Sequence, residues 1–170
     1  AVEDCFAFAG ECAGLWSSGK RHLFRMANEH EFFSAGDQRV VIEYKGWKIA
    51  LFICYDLRFP VWSRNDSQFD AMIYVANWPA PRVDAWSTLL KARAIENQCY
   101  CIGCNRIGKD EAGRDYVGGS AVHDSKGALL TSFRHGAEEV QTIEMDLASL
   151  NDFRQKFPVD MDRDQFRLNY

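Results

Sequence analysis

The chain has 170 residues, 47% of them apolar, and a formal net charge of −4. This size and composition predict one domain with a substantial core. Basic and acidic residues are interspersed, which gives no support for binding to nucleic acid or to a membrane surface. No apolar run approaches the roughly 18 residues of a membrane-spanning helix, and six cysteines are too few for a disulfide scaffold. We expect a cytoplasmic protein with reduced thiols.

The hydrophobic patterns and turn signals that predict strands and helices start at residue 20. Residues 1–19 show neither clean periodicity nor start and stop signals, so they are predicted to be a poorly defined lead-in to a domain over 20–170. Residues 39–44 are β-branched and aromatic, Lys45-Gly46 supplies a turn, and residues 47–54 form a second apolar run. This pattern predicts a β-hairpin.

The elements after this hairpin alternate between strands and helices. The first four are a short helix over 60–65, a buried strand over 70–77, a helix over 84–97 capped by Asp84, and a strand over 99–105. The next four are a charged loop over 106–116, a hairpin of 118–123 with 128–133 around the turn 124–127, a strand over 140–145, and a short helix over 146–153. This order predicts a mixed α/β layered fold.

Cys54 ends the apolar run 47–54, and a cysteine in this position is by default a small buried hydrophobic residue. The polar turn and helix start that follow would instead place the thiol at a strand-to-helix elbow. Such an elbow exposes the sulfur, favours the thiolate near a helix N-terminus, and directs backbone N–H groups to where an oxyanion would form. The local pattern leaves both interpretations open.

The run CYDLRFP at 54–60 resembles the nucleophile motif of the nitrilase superfamily of carbon–nitrogen hydrolases. Four further segments resemble signatures of this superfamily, in its order: KRHLF at 20–24, Glu29 with SAGD at 34–37, ANWP at 76–79, and RAIENQ at 93–98. Among its members the chain is most similar to the ω-amidases, which hydrolyse the terminal amide of 2-oxo-dicarboxylate monoamides. The resemblance implies a partial α-β-β-α sandwich whose N-terminal portion is missing.

The resemblance also implies roles in catalysis. The family forms a thioester by attack of a thiolate on the amide carbon, with loss of ammonia. Cys54 would be the nucleophile, and the ammonium of Lys20 would stabilise the oxyanion together with the backbone N–H of Tyr55. No metal or cofactor is expected.

Three supporting residues follow from the same motifs. Glu29 matches a family glutamate that helps position the substrate and the lysine. Asn77 and Trp78 end a predicted strand beside the expected pocket, where Trp78 could line the substrate cavity or belong to the core.

The general-base glutamate of the family lies upstream of the lysine, in a Pro-Glu motif after an early strand. Glu3 and Glu11 precede Lys20, but neither follows an apolar strand or lies beside a proline. We therefore assign the base role to neither, and a missing base would lower turnover by roughly 10²–10⁴-fold.

Other polar residues near the motifs have structural interpretations. Asp56 and Arg58 are predicted to form an ion pair that braces the elbow, and Arg93 and Glu96 an i,i+3 pair on one helix face. Cys99, Cys101 and Cys104 lack a second cluster that would complete a zinc site, and Cys104 should point away from the other two.

The expected partners are a small-molecule amide and a second subunit, because the family assembles as dimers. By resemblance, the 60–65 and 84–97 helices and the tail over 154–170 would make the subunit contacts. Two alternatives remain open: a catalytically impaired fragment that pairs with a separate N-terminal piece, and a superfamily enzyme that acts on a nitrile or an N-carbamoyl amine or that transfers an acyl group.

Overall fold

The structure, a computed structural model, describes residues 5–6, 16–17, 19–66 and 69–165. The strands are β1 (Cys5–Phe6), β2 (Trp16–Ser17), β3 (Val40–Tyr44), β4 (Trp47–Ile53), β5 (Ala71–Ala76), β6 (Tyr100–Asn105), β7 (Ile107–Lys109), β8 (Asp115–Val117) and β9 (Ala121–His123). The helices are α1 (Glu29–Phe32), α2 (Val83–Asn97) and α3 (Leu147–Lys156). Short 3-10 turns cover Arg25–Ala27, Cys54–Arg58, Ala80–Arg82 and Val159–Asp162.

The centre of the fold is a five-stranded mixed sheet with the order β3-β4-β5-β6-β9. Strands β4, β5 and β6 are parallel, and the two outer strands are antiparallel to their neighbours. The predicted hairpin of β3 and β4 is confirmed, with Tyr44 opposite Trp47. Lys45 and Gly46 between them both have positive φ (47° and 82°), as a two-residue type I′ turn requires.

Helices cover both faces of the sheet, which confirms the α/β fold class. Alternate residues of β4 point to opposite faces: Ala50 and Phe52 belong to the core beneath α2, whereas Ile49 and Leu51 belong to a second cluster that includes Leu150 of α3. From Ile49 to Ile53 the strand is therefore continuously apolar and buried, as is typical of a strand that is covered on both sides.

Gly103 of β6 lets α2 lie directly on the sheet. A Cβ atom at this position would be 2.4 Å from Cδ1 of Leu90 and 2.7 Å from Cζ2 of Trp86. Both distances are too short for any side chain, so this close approach requires glycine.

Arg154 fastens α3 to the amino ends of the parallel strands. Its guanidinium donates to Oδ1 of Asp70 (2.8 Å) and to the carbonyls of Phe69 (2.7 Å) and Gln98 (2.9 Å). The other oxygen of Asp70 accepts the N–H of Lys48 (3.0 Å). One carboxylate thus joins β4, the start of β5 and α3.

The predictions for the first two helices need correction. The helix predicted over 60–65 is wrong: a 3-10 turn forms earlier, over Cys54–Arg58, and Asn65 is engaged instead with Asn97 and Phe69 (2.8 Å each). Helix α2 begins at Val83 with Arg82 at the N-cap, so Asp84 lies in the first turn and is not the cap. The preceding 3-10 turn leads directly into this helix.

The second half of the chain contains less regular structure than predicted in one place and more in another. No strand forms over 140–145, where the side chain of Val140 is 96% exposed. The predicted hairpin around 124–127 is reduced to β9 and a single bridge between His123 and Leu129. Conversely, the predicted loop 106–116 contains β7 and most of β8, which pair antiparallel. The helix opened by Asp146 is confirmed and extends to Lys156.

The ends of the chain are described only in part. Most of the predicted lead-in over 1–19 lies outside the described residues, as do residues 166–170 of the tail. Of the described helices, none is long and apolar enough to cross a membrane. The role of the tail in subunit contacts stays a prediction.

Candidate active site

The carboxyl ends of the parallel strands open into a pocket of about 1050 Å³. Cys54 follows β4, Asn77 follows β5, and Arg106 follows β6, and all three line this pocket. The carboxyl ends of parallel strands are where α/β proteins commonly bind ligands. The pocket wall brings together every site residue predicted from the motifs: Lys20, Glu29, Cys54, Tyr55, Asn77 and Trp78.

Cys54 occupies the predicted strand-to-turn elbow. It follows the last residue of β4 directly and opens the 3-10 turn. Its φ of 44° lies in the left-handed region, which is uncommon for a residue with a side chain and is found at functional sites. The surrounding structure holds this backbone in place and directs the thiol into the pocket.

The prediction that the elbow lowers the pKa of Cys54 is wrong. Burial raises the pKa of this thiol above its ordinary value, and the carboxylates of Glu29 and Asp56 raise it further. The ammonium of Lys20 and the backbone N–H of Asn77 oppose this effect without cancelling it. Lys20 is therefore the strongest stabilising charge for a Cys54 thiolate.

Lys20 and Glu29 form a close ion pair in the same pocket. Nζ of Lys20 donates to Oε2 of Glu29 at 2.5 Å, and the same oxygen accepts the backbone N–H of Phe24 (2.7 Å). The carbonyl of Lys20 accepts the N–H of Gly36 (2.8 Å). With its side chain only 14% exposed, Lys20 is not an ordinary solvated surface charge.

Asp56 joins the lysine segment to the cysteine elbow. Its carboxylate contacts the backbone N–H and ring Nδ1 of His22 (2.9 Å each) through one oxygen, and accepts the N–H of Ile53 (3.2 Å) and of Arg21 (3.4 Å) through the other. Asp56 is 1% exposed. The predicted ion pair with Arg58 is wrong, because these donors occupy the carboxylate.

Arg58 lies instead over the ring of Trp78, with its guanidinium carbon 5.0 Å from the ring centroid. Trp78 combines both of its predicted roles, since it is buried in the core and also lines the pocket. Asn105, which the sequence analysis missed, fixes this residue: it accepts the N–H of Trp78 (2.7 Å) and donates to its carbonyl (2.9 Å). The position of Asn105 at the end of a predicted strand was the signal in the sequence that could have identified this residue.

Tyr55 contributes an aromatic wall to the pocket. Its ring lies 4.8 Å from that of Phe24 and 5.2 Å from that of Phe59, measured between centroids. The role of its backbone N–H in an oxyanion hole stays a prediction.

The predicted pair of Arg93 and Glu96 is confirmed at 2.9 Å. The buried guanidinium of Arg93 also donates to the carbonyl of Leu57 (2.7 Å). This contact attaches α2 to the turn that carries Cys54.

The three cysteines of the strand predicted over 99–105 have different environments. Cys99 and Cys101 are buried, and burial raises the pKa of both thiols far above the ordinary range. Cys104 is exposed on the opposite face, as predicted.

Comparisons with known proteins agree with this architecture. A family model described as carbon-nitrogen hydrolase matches residues 8–155. The chain belongs to the carbon–nitrogen hydrolase family. Its match to the structure of XC1258 from Xanthomonas campestris, a protein of the same superfamily, has a TM-score of 0.88 at 43% identity and covers 92% of this chain and 62% of that one.

Two curated carbon–nitrogen hydrolases illustrate the range of similarity. Omega-amidase YafV of Escherichia coli (strain K12) is 52% identical over 150 residues, which cover 88% of this chain and 58% of the relative. 2-Oxoglutaramate amidase of Bacillus subtilis (strain 168) is 39% identical over 143 residues, which cover 82% of this chain and 54% of the relative. The chain thus spans little more than half the length of these relatives.

Proposed function

We propose that the pocket hydrolyses the amide of a small linear 2-oxo acid to the acid and ammonia, with Cys54 as the nucleophile. The observation that carries this proposal is the placement of Cys54 in one pocket with the Lys20–Glu29 ion pair. The names of the relatives, omega-amidase and 2-oxoglutaramate amidase, support the choice of substrate class.

In the first half of the reaction, the sulfur of Cys54 forms a bond to the amide carbon and the carbonyl electrons move onto oxygen. The ammonium of Lys20 and the N–H of Tyr55 stabilise this oxyanion. The carbon–nitrogen bond then breaks, the nitrogen takes up the proton that the thiol of Cys54 has lost and leaves as ammonia, and a thioester remains. In the second half, water attacks the thioester and releases the acid and the thiol.

We assign a supporting role to Glu29. One of its oxygens already accepts from Nζ of Lys20 and from the N–H of Phe24, so this carboxylate holds the lysine at the pocket wall. The resemblance assigns the proton transfers to a different glutamate, upstream of the lysine.

The test is incubation of the chain with 2-oxoglutaramate or glutamine and measurement of the released ammonia. We expect release from 2-oxoglutaramate by the unaltered chain and none above background by Cys54→Ala. The matched control is Cys104→Ala, which removes an exposed thiol and should leave the rate unchanged. Equal release by Cys54→Ala and the unaltered chain would overturn the nucleophile assignment.

Release by neither protein would favour the alternative of a catalytically impaired part that pairs with a complementary segment. The raised pKa of Cys54 fits that alternative, because a buried thiol needs a proton acceptor to become nucleophilic.

A further inference from the structure

The pocket carries an excess of positive charge, although the chain as a whole has a net charge of −4. Among the described residues, its wall contains five basic side chains and two carboxylates, an excess of three positive charges. The basic residues are Lys20, Arg58, Arg82, Arg106 and Arg114, and the acidic ones are Glu29 and Asp110. A concave cationic surface concentrates anions.

Several of these cations are already engaged within the chain. Lys20 is paired with Glu29. Nε of Arg114 donates to Asp110 at 2.7 Å, and the hydrogen bonds from Arg114 lower the pKa of that carboxyl to about 2. The exposed guanidinium of Arg106 donates to the carbonyl of Lys109 (3.1 Å).

Arg58 and Arg82 differ from these three. Both are half-buried, and within the described residues neither guanidinium has a hydrogen bond or an ion pair. Each lies over an aromatic ring, Arg58 over Trp78 at 5.0 Å and Arg82 over Phe24 at 5.4 Å. Stacking of this kind uses the face of a guanidinium and leaves its in-plane N–H donors free to bind a carboxylate through two hydrogen bonds.

Arg58 and Arg82 come from different elements of the pocket wall. Arg58 belongs to the same 3-10 turn as Cys54. Arg82 comes from a separate turn. The indole N–H of Trp78 donates to the carbonyl of Arg82 (2.7 Å) and fixes this turn. Its guanidinium reaches Phe24, whose N–H is bound by Glu29.

We propose that Arg82 determines specificity by binding the carboxylate of a short anionic amide whose other end lies at Cys54. The preference for an amide rests on the proposed function, whereas recognition of the carboxylate rests on the pocket alone.

The first experiment measures binding without turnover, by titrating glutarate into Cys54→Ala at low salt in a calorimeter. Adding Arg82→Met should weaken binding about tenfold or more, because a charge-assisted pair is lost. Adding Arg106→Met removes the same charge from the same pocket and should weaken binding less than about threefold, since only the general field changes. Equal weakening by both substitutions, or no binding of glutarate by Cys54→Ala, would overturn the proposal.

Two readouts separate a lost contact from a lost fold. Arg82→Lys keeps the charge and loses the fork of donors, so its affinity should lie between those of arginine and methionine. The circular dichroism spectra of all variants should be the same as that of the parent. A variant that binds weakly only because it unfolds would show a changed spectrum, and Arg82→Lys then decides the proposal: binding equal to that of arginine would overturn it.

The second experiment compares turnover of succinamate, which carries a carboxylate, with that of neutral butanamide, in chains that retain Cys54. Arg82→Met should lower kcat/KM for succinamate about tenfold or more and leave that for butanamide unchanged. An equal loss for both amides would overturn the proposal. If the unaltered chain releases no ammonia from either amide, the proposed function fails and the glutarate titration alone decides the role of Arg82.

Discussion

Replacement of Asp56 by asparagine tests whether one buried carboxylate holds the two parts of the site together. An asparagine keeps one acceptor oxygen and replaces the other by an NH₂ group, which only donates. The orientation that preserves the bond to the N–H of His22 leaves the N–H groups of Arg21 and Ile53 unpaired, and the opposite orientation leaves the N–H of His22 unpaired. The side chain will adopt the orientation that leaves a single donor unpaired, and a buried unpaired donor costs about 1–3 kcal/mol, so we expect a loss of about 1–3 kcal/mol in the free energy of unfolding.

Urea denaturation followed by circular dichroism measures this loss. The matched control is Asp160→Asn, at an exposed position in the last 3-10 turn, where the change should stay within about 0.5 kcal/mol. A loss below about 1 kcal/mol for Asp56→Asn would refute the reasoning, because it would show that the lysine segment and the elbow are held together by other contacts.

Three further predictions concern separate parts of the chain. Because burial raises the pKa of Cys54, its alkylation by iodoacetamide should accelerate above about pH 9, the ordinary thiol pKa, and Lys20→Met should slow it at any given pH by removing the stabilising cation. Gly103→Ala should lower the free energy of unfolding by about 1–3 kcal/mol in a urea titration, since its Cβ would overlap Leu90. Burial lowers the pKa of His123, so the unfolded chain binds the extra proton first, and stability should fall as the pH drops below about 6.5; in His123→Gln, unfolding measured between pH 7 and pH 5 should show a shallower slope.

Each of these predictions has a result that would contradict it. Alkylation of Cys54 that is already maximal at neutral pH would show that charge and hydrogen bonding outweigh burial. An unchanged unfolding midpoint for Gly103→Ala would mean that α2 can move off the sheet at no cost. Equal pH slopes with and without His123 would assign the acid sensitivity to other groups.

The local elements were predictable where the signal is local. The hairpin around Lys45 and Gly46 depends on two adjacent runs and a turn between them, and both are visible in the sequence. The strand expected over 140–145 failed because a strand needs a partner, and pairing depends on distant segments. The helix expected at Pro60 failed for the same reason, since the backbone N–H of Asn65 is bound by the side chain of Asn97, which lies 32 residues further along the chain.

The sequence motifs predicted which residues would lie together, and they did not predict the electrostatics of the pocket. The motifs identified Lys20, Glu29 and Cys54, and the fold places them around one pocket. The direction of the pKa shift of Cys54 was missed because burial depends on how the whole sheet packs. Arg82 was missed because it stands in a proline-rich loop with no charge pattern of its own.

The network around Asp70 and Arg154 lies at the amino ends of the parallel strands, and the pocket lies at their carboxyl ends. The sheet therefore separates the residues that secure α3 from those that line the pocket. Substitutions in the loops that follow β5 and β6 can alter which molecules fit without weakening the opposite edge. Mutagenesis that aims to change which molecules the pocket binds should therefore target those loops and leave Asp70 and Arg154 unchanged.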